Sequence, residues 1–214
     1  MPSLSLSSHA HQNLPELVRS ATALTPEVIA VDEQLAACLP YRGFRRGDTV
    51  MVAGSNTLTL LAIAHATAEG LWCGMVSLPQ LNFATAHEIG ADLARIVAVP
   101  DAQQHAPTVA ATLLDTLDMV VVGLSQLNDP LMLRKLSARA RQRRKLLLLS
   151  TTSPTDVLPS VTLTLTAQRH TWRGIDDGLG YLTEHTLDIV VSGQGRANKP
   201  RQHTLAVVTP DAKP

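Results

Sequence analysis

The chain has 214 residues, of which 45% are hydrophobic and 17% are charged, and its formal net charge is zero. This length fits one domain of ordinary to large size, and the hydrophobic content excludes disorder over the whole chain. A net charge of zero excludes an overall electrostatic attraction to nucleic acid or membrane, so any such binding must come from a local patch.

Targeting and redox signals point to the cytoplasm. The first residues lack both a basic start and a long apolar run, so they do not form a secretory signal. No stretch approaches the roughly 20 apolar residues of a membrane span, and no membrane partner is expected. Cys38 and Cys73 are expected to be buried thiols of a reducing compartment.

The N-terminal part of the chain shows little regular patterning. Residues 1–12 are polar and serine-rich, which predicts a disordered tail. Residues 13–40 are predicted to form a helical arm, with a short helix over 13–20 and a second helix over 26–38 that begins at Pro26. The turn-rich segment 40–48 then leads into the regular part of the chain.

From residue 49, apolar runs of strand length alternate with helical stretches. The predicted strands cover residues 49–53, 72–78, 95–99, 119–123 and 145–150. The predicted helices cover residues 57–69, 83–89, 106–117 and 130–143. Because the strands lack polar alternation, they are expected to be covered on both faces, as in a parallel sheet with helical crossovers.

After residue 150 the pattern changes. Residues 161–166 alternate between apolar residues and threonine, which predicts a strand with one buried face and one wet face. Residues 182–192 and 203–208 are predicted to be two more strands, and we expect all three segments to extend the sheet in antiparallel fashion. The predicted fold class is therefore α/β, with a core over residues 41–208 and a tail over 209–214.

A strand, a glycine turn and a helix follow one another around residue 54. The turn consists of Gly54, Ser55, Asn56 and Thr57. Helix N-termini of this kind hold phosphate in nucleotide-binding folds, because the first backbone N–H groups of the helix are unpaired.

The phosphate loop itself is incomplete. It requires a second glycine five residues after the first, then lysine, then serine or threonine. Those places are occupied by Thr59, Leu60 and Leu61. We therefore interpret the turn as a helix cap formed by Ser55 or Asn56, with poor nucleotide affinity and no cofactor.

A dense basic cluster lies on the helix predicted over 130–143 and just beyond it. Its members are Arg134, Lys135, Arg139, Arg141, Arg143, Arg144 and Lys145. One interpretation is a solvated helix face whose charges favour a helix C-terminus. The other is a surface that contacts DNA phosphates or an acidic partner.

Other candidate residues are more scattered. A milder basic patch comprises Arg196, Lys199 and Arg201, and three further arginines, Arg42, Arg45 and Arg46, precede the central strand. Trp72 and Trp172 are interpreted as core residues, because an aromatic content of 3% is too low for a base-stacking platform. No cysteine or histidine spacing predicts a metal site.

Three segments, taken in order, resemble the RecA recombinase family. They are residues 47–54, residues 86–97 and residues 117–122. The resemblance covers about residues 40–208 and implies a RecA-like core with a mainly parallel central sheet, flanking helices and antiparallel C-terminal strands. The metal-binding acid of that family would fall at Gly123 and its catalytic glutamate near Pro79, so the groups needed for ATP hydrolysis are missing.

Within this superfamily, residues 138–143 and the tryptophan–glycine turn over 172–180 are similar to the ImuA-prime group of short actinobacterial mutasome proteins. The resemblance implies a non-catalytic adaptor of SOS-induced translesion synthesis. Its partners would be ImuB, an inactive Y-family polymerase homologue, and indirectly an error-prone C-family polymerase.

Several alternatives remain open beside this interpretation. By analogy with RecA-like assemblies, residues 13–40 are a candidate arm for a homo-oligomer or a partner. The chain could instead be a SulA-like inhibitory binder of the cell-division machinery. It could also be a RecA-like NTPase with an unconventional phosphate loop.

Overall fold

The computed structural model describes residues 28–127, 129–153, 158–174 and 184–207. The strands are β1 Val28–Ala30, β2 Gly43–Arg45, β3 Thr49–Ala53, β4 Cys73–Val76, β5 Ile96–Val99, β6 Met119–Gly123, β7 Leu146–Thr151, β8 Leu163–Arg173, β9 Glu184–Gly193 and β10 Arg201–Ala206. The helices are α1 Glu33–Cys38, α2 Asn56–Ala68, α3 Phe83–Glu88, α4 Ala106–Thr116 and α5 Pro130–Arg143.

Eight strands form one sheet in the order β10-β9-β8-β3-β7-β6-β4-β5, and β1 pairs with β2 in a separate antiparallel sheet. The six strands from β8 to β5 are parallel to their neighbours, whereas β9 is antiparallel to β8 and β10 to β9. The predicted fold class is confirmed, with one correction: β8 joins β3 in parallel, so the antiparallel extension begins only at β9.

Apolar clusters lie on both faces of the sheet. Successive side chains of a strand point to opposite faces, so Val50 and Val52 belong to one cluster and Met51 to the other. Helix α2 contributes to the first cluster, and helices α4 and α5 contribute to the second. The strands are apolar without alternation because helices cover both faces. None of the described helices is long and apolar enough to cross a membrane.

The predicted helix over 26–38 is wrong at its start. Val28–Ala30 is a strand that pairs with Gly43–Arg45, and α1 begins only at Glu33, after Asp32 accepts the N–H of Gln34 at 2.9 Å. The β-branched pair at positions 28 and 29 favours a strand over a helix. The remainder of the predicted arm, residues 13–27, and the predicted tails over 1–12 and 209–214 lie outside the described residues.

Three further expectations about burial can be checked. Both tryptophans are partly exposed, Trp72 by 39% and Trp172 by 53%, so their assignment to the core is wrong. Thr164 is buried although its face was expected to be wet, because it pairs with Met51 of the second apolar cluster. Cys38 and Cys73 are buried free thiols, as expected, and burial raises the pKa of both.

Three rings pack together between β8 and β9. The indole of Trp172 stacks on the imidazole of His185, with ring centres 3.5 Å apart. His170 Nδ1 lies 3.0 Å from His185 Nε2. Burial lowers the pKa of His185, and the nearby charge of His170 lowers it further.

This shift predicts a loss of stability in acid. In the unfolded chain the imidazole takes up a proton near its ordinary pKa of about 6.5, whereas in the folded chain it does so only at lower pH. The free energy of unfolding should therefore fall as the pH drops below about 6.5, until the folded pKa is passed. His185→Gln should flatten this fall in urea titrations between about pH 7 and 5. Parallel curves for parent and variant would contradict the prediction.

Candidate functional site

The turn after β3 lies at the carboxyl ends of the parallel strands, where open α/β sheets bind their ligands. Strand β3 ends at Ala53 and helix α2 begins at Asn56, so only Gly54 and Ser55 join the two elements. A phosphate loop needs a longer connection to wrap around the ligand. Here the backbone that would form that wrap is already part of α2.

Ser55 caps this helix, which confirms the helix cap predicted from the sequence. Its Oγ accepts the backbone N–H of Leu58 at 3.2 Å, and its carbonyl oxygen accepts the N–H of Thr59 at 3.3 Å. Capping uses part of the N–H groups that an anion would need. The first turn of α2 is therefore partly satisfied by the protein itself.

The three positions that would complete a phosphate loop face the interior or pack against it. Thr59 is fully buried, and its Oγ1 lies 2.8 Å from Ser150 Oγ of β7. Leu60 is 2% exposed and belongs to the first apolar cluster, against which Leu61 also packs. The position of the phosphate-binding lysine is thus part of the hydrophobic core.

Gly54 is closed off by the main chain of β8. Its φ is +84°, and a Cβ atom on it would lie 2.5 Å from the carbonyl oxygen of Ala167. Its N–H donates to the carbonyl of Thr151 at 2.9 Å, at the end of β7. The turn is therefore packed between two neighbouring strands.

Gly123, where the resemblance to the RecA family would place a metal-binding acid, is closed in the same way. A Cβ atom there would lie 2.4 Å from the carbonyl oxygen of Ser77, the residue that follows β4. Ser77 has a φ of +55°, and its N–H donates to the carbonyl of Val99 at 2.9 Å. Among the described residues, no group of three or more His, Cys, Asp and Glu side chains is placed to hold a metal ion.

Part of the basic cluster on α5 forms intramolecular ion pairs. Arg139 binds both carboxylate oxygens of Asp115 on α4, and Arg143 Nε lies 3.0 Å from the same carboxylate. The hydrogen bond from Arg139 is the main reason that the pKa of Asp115 is lowered. Lys145 Nζ lies 3.8 Å from Asp118 Oδ1. Three of the seven cluster members are therefore held in ion pairs within the protein.

The other four members are exposed to solvent. They are Arg134, Lys135, Arg141 and Arg144. In the part of the chain that the structure describes, none of these four forms an ion pair within 4.0 Å. Arg141 lies against the turn before β3, because a Cβ atom on Gly47 would be 3.3 Å from its Cα. The C-terminal end of α5 thus adjoins the arginine-rich entry segment.

The three arginines of that entry segment have different environments. The Arg46 side chain is only 6% exposed, and its Nη1 lies 3.2 Å from Asp118 Oδ1, so it is structural. The exposed Arg42 lies 3.9 Å from Glu33. The Arg45 guanidinium lies 5.1 Å from the ring centre of Tyr41.

Arg196 lies on the same tyrosine, 5.4 Å from the ring centre. The structure thereby places the second basic patch beside the entry segment, which the sequence did not predict. In the sequence, the feature that indicated this site was a tyrosine among arginines in a turn. The contact between Tyr41 and Arg196, which lies in the β9–β10 connection, could not be predicted because it forms only in the tertiary fold.

Comparison with known proteins identifies a family but no activity. Residues 37–155 match the MT3502 N-terminal domain, a little more than half of the chain. The chain is 36% identical over 98 residues to the uncharacterized protein Rv3395c of Mycobacterium tuberculosis, a match that covers 45% of this chain and 48% of that protein. It thus spans about half the length of this curated relative. The family match includes β3, α2, β6 and α5, with the turn at Gly54 and the basic cluster. Because the match covers more than half of the chain, the chain belongs to the MT3502 N-terminal domain family.

Proposed function

We propose that the protein is a non-catalytic RecA-like adaptor of the translesion-synthesis mutasome, of the ImuA-prime kind. In this proposal it acts in the cytoplasm, binds ImuB and supports an error-prone C-family DNA polymerase during the SOS response. The observation that carries the proposal is that main chain closes the carboxyl ends of the central strands at Gly54 and Gly123. Backbone from β8 and from the residue after β4 occupies the space beside Gly54 and Gly123.

The absence of hydrolytic groups supports an adaptor role. Hydrolysis of a nucleoside triphosphate requires a cation on the phosphates and an acid on the metal. The position of the cation holds the buried Leu60, and that of the acid holds Gly123. In this proposal the protein binds other molecules through its surface residues and not through a nucleotide site. The resemblance of residues 138–143 to the ImuA-prime group is the reason that we propose mutasome proteins as the partners of that surface.

Co-elution with ImuB tests the proposal. The purified chain and ImuB, mixed at micromolar concentrations, should elute together in size-exclusion chromatography, because a stable adaptor complex has a dissociation constant of about 1 µM or less. Addition of ATP and Mg²⁺ should leave the elution unchanged. Separate elution of the two proteins would contradict the adaptor role.

Two controls separate the alternatives. Co-elution with the tubulin-like division protein instead of ImuB would favour a SulA-like inhibitor. Equilibrium titration with labelled ATP and Mg²⁺ should show no saturation below about 1 mM, since the phosphate-binding lysine is missing. Saturable binding at lower concentration would favour an NTPase with an unconventional loop.

A further inference from the structure

Two adjoining cavities open near the amino ends of the central parallel strands, at the opposite end from Gly54 and Gly123. One, of about 280 Å³, is lined by residues that include Tyr41, Arg45, Asp48 and Gln194. The other, of about 320 Å³, is lined by residues that include Arg196, Lys199 and Arg201. Both cavities are also lined by Pro40 and Ala197, so they form one concave surface.

Tyr41 lines the first cavity and is 41% exposed. The guanidinium groups of Arg45 and Arg196 lie 5.1 and 5.4 Å from its ring centre, within the range of cation–π attraction. The ring therefore holds two like charges in place before any ligand arrives. Such preorganisation lowers the entropy that binding would otherwise cost.

The charge of the surface is positive. Four cationic side chains line the two cavities, namely Arg45, Arg196, Lys199 and Arg201. All four are exposed, and in the described ranges none of them forms an ion pair within 4.0 Å.

Asp48 is the one acidic lining residue of the first cavity, and Arg141 is a further cation beside it. Burial raises the pKa of Asp48, while Arg45 and Arg141 act in the opposite direction. One partly buried carboxylate cannot offset the surrounding cations. The surface therefore suits an anionic ligand.

We propose that this surface, the Tyr41 cradle formed by Tyr41, Arg45, Arg196, Lys199 and Arg201, binds the sugar–phosphate backbone of single-stranded DNA. Guanidinium forks match phosphate oxygens in a bidentate geometry. An exposed aromatic ring between cations is typical of single-strand grooves, in which it stacks on a base.

The inference concerns a surface other than the basic cluster on α5, and it requires no protein partner. It adds to the adaptor role a direct contact with DNA. Because the test below uses the chain alone, its failure would leave the co-elution test with ImuB unaffected. Loss of co-elution would likewise leave the DNA result unaffected.

Fluorescence anisotropy with labelled oligo-dT of about 20 nucleotides tests the cradle. The double variant Arg45→Gln and Arg196→Gln should bind at least about tenfold more weakly than the parent at low salt. Its salt dependence should also be shallower, by about 0.7 in log–log slope for each cation removed. Tyr41→Leu should weaken binding by about fivefold or more with the charge unchanged, because a stacked base is lost.

A matched control removes the same charge elsewhere. The double variant Arg134→Gln and Lys135→Gln changes two exposed cations of α5 and should bind within about twofold of the parent. Equal losses in both double variants would overturn the proposal, because they would indicate diffuse attraction. Tighter binding of duplex DNA, or displacement of the oligonucleotide by an equal concentration of polyglutamate, would also overturn it.

Thermal unfolding of each variant checks that the fold is kept. Should the Arg45 and Arg196 variant unfold at lower temperature, the double variant Lys199→Gln and Arg201→Gln provides the same test from the second cavity. Both of these side chains are exposed. Parental affinity in this folded variant would overturn the cradle.

Discussion

Gly54→Ala is expected to lower the free energy of unfolding by about 3 kcal/mol or more, a large effect for one added methyl group. Two costs combine at this position. The φ of +84° lies in the left-handed region, which costs a residue with a side chain about 1–2 kcal/mol. The added Cβ would also lie 2.5 Å from the Ala167 carbonyl oxygen. This oxygen cannot easily withdraw, because β8 is paired with β3 up to Thr166.

Gly70→Ala is the matched control for this variant. Gly70 has a φ of +88° after the end of α2, and a Cβ atom there would meet nothing within 4 Å. It therefore carries the conformational cost alone, about 1–2 kcal/mol. Urea denaturation of the two variants separates that cost from the steric one. Equal losses would show that β8 yields to the methyl group and that the turn is not closed.

The regular part of the fold could be predicted because its cause is local. Strands β3 and β6 and helix α5 have the predicted bounds, since apolar runs and an Asp129–Pro130 helix start are visible in short windows. Strand β1 was missed because it pairs with residues some fifteen positions further along the chain. In a short window its apolar residues also fit a helical period, so only the partner strand distinguishes the two.

The tryptophans show a limit of reasoning from composition. A low aromatic content made a core position the simplest interpretation, yet the location of each residue decides its exposure. Trp72 directly precedes β4, the strand next to the edge strand β5, with the Arg95 guanidinium 5.2 Å from its ring centre. Trp172 lies near the far end of the β8–β9 pair and covers His185. Both positions follow from strand ends that the sequence defines only to within a few residues.

The candidate site could be predicted as far as its missing groups. The absence of a lysine and an acid can be seen in the sequence, because each has a fixed place relative to a strand. The closure of the site cannot be seen there, because Ala167 and Ser77 approach the two glycines from other segments. The Tyr41 cradle could not be predicted from the sequence for the same reason, because Arg196 lies beside Tyr41 only in the folded chain.

Gly123 offers the second test of this closure. Gly123→Ala should lower the free energy of unfolding by about 3 kcal/mol, because a Cβ atom would lie 2.4 Å from the main-chain oxygen of Ser77. Gly74→Ala is the matched control in the neighbouring strand β4. A Cβ atom on Gly74 would meet the ends of the Leu113 and Leu117 side chains at 2.9 and 3.1 Å, and these can move aside for about 1 kcal/mol.

Gly123→Asp extends the test to function. It introduces the acid that the resemblance to the RecA family would place at this position, but its carboxylate would have to enter a space that the Ser77 main chain already fills. We expect a larger loss of stability than for Gly123→Ala and no Mg²⁺-dependent binding of ATP in calorimetric titration, since a buried charge without a partner adds a desolvation cost of several kcal/mol. A stable variant that binds Mg²⁺ and ATP would contradict the closure. A destabilised variant that binds neither ligand would mean that main-chain packing at Gly123, and not only the missing carboxylate, keeps a metal ion from this position.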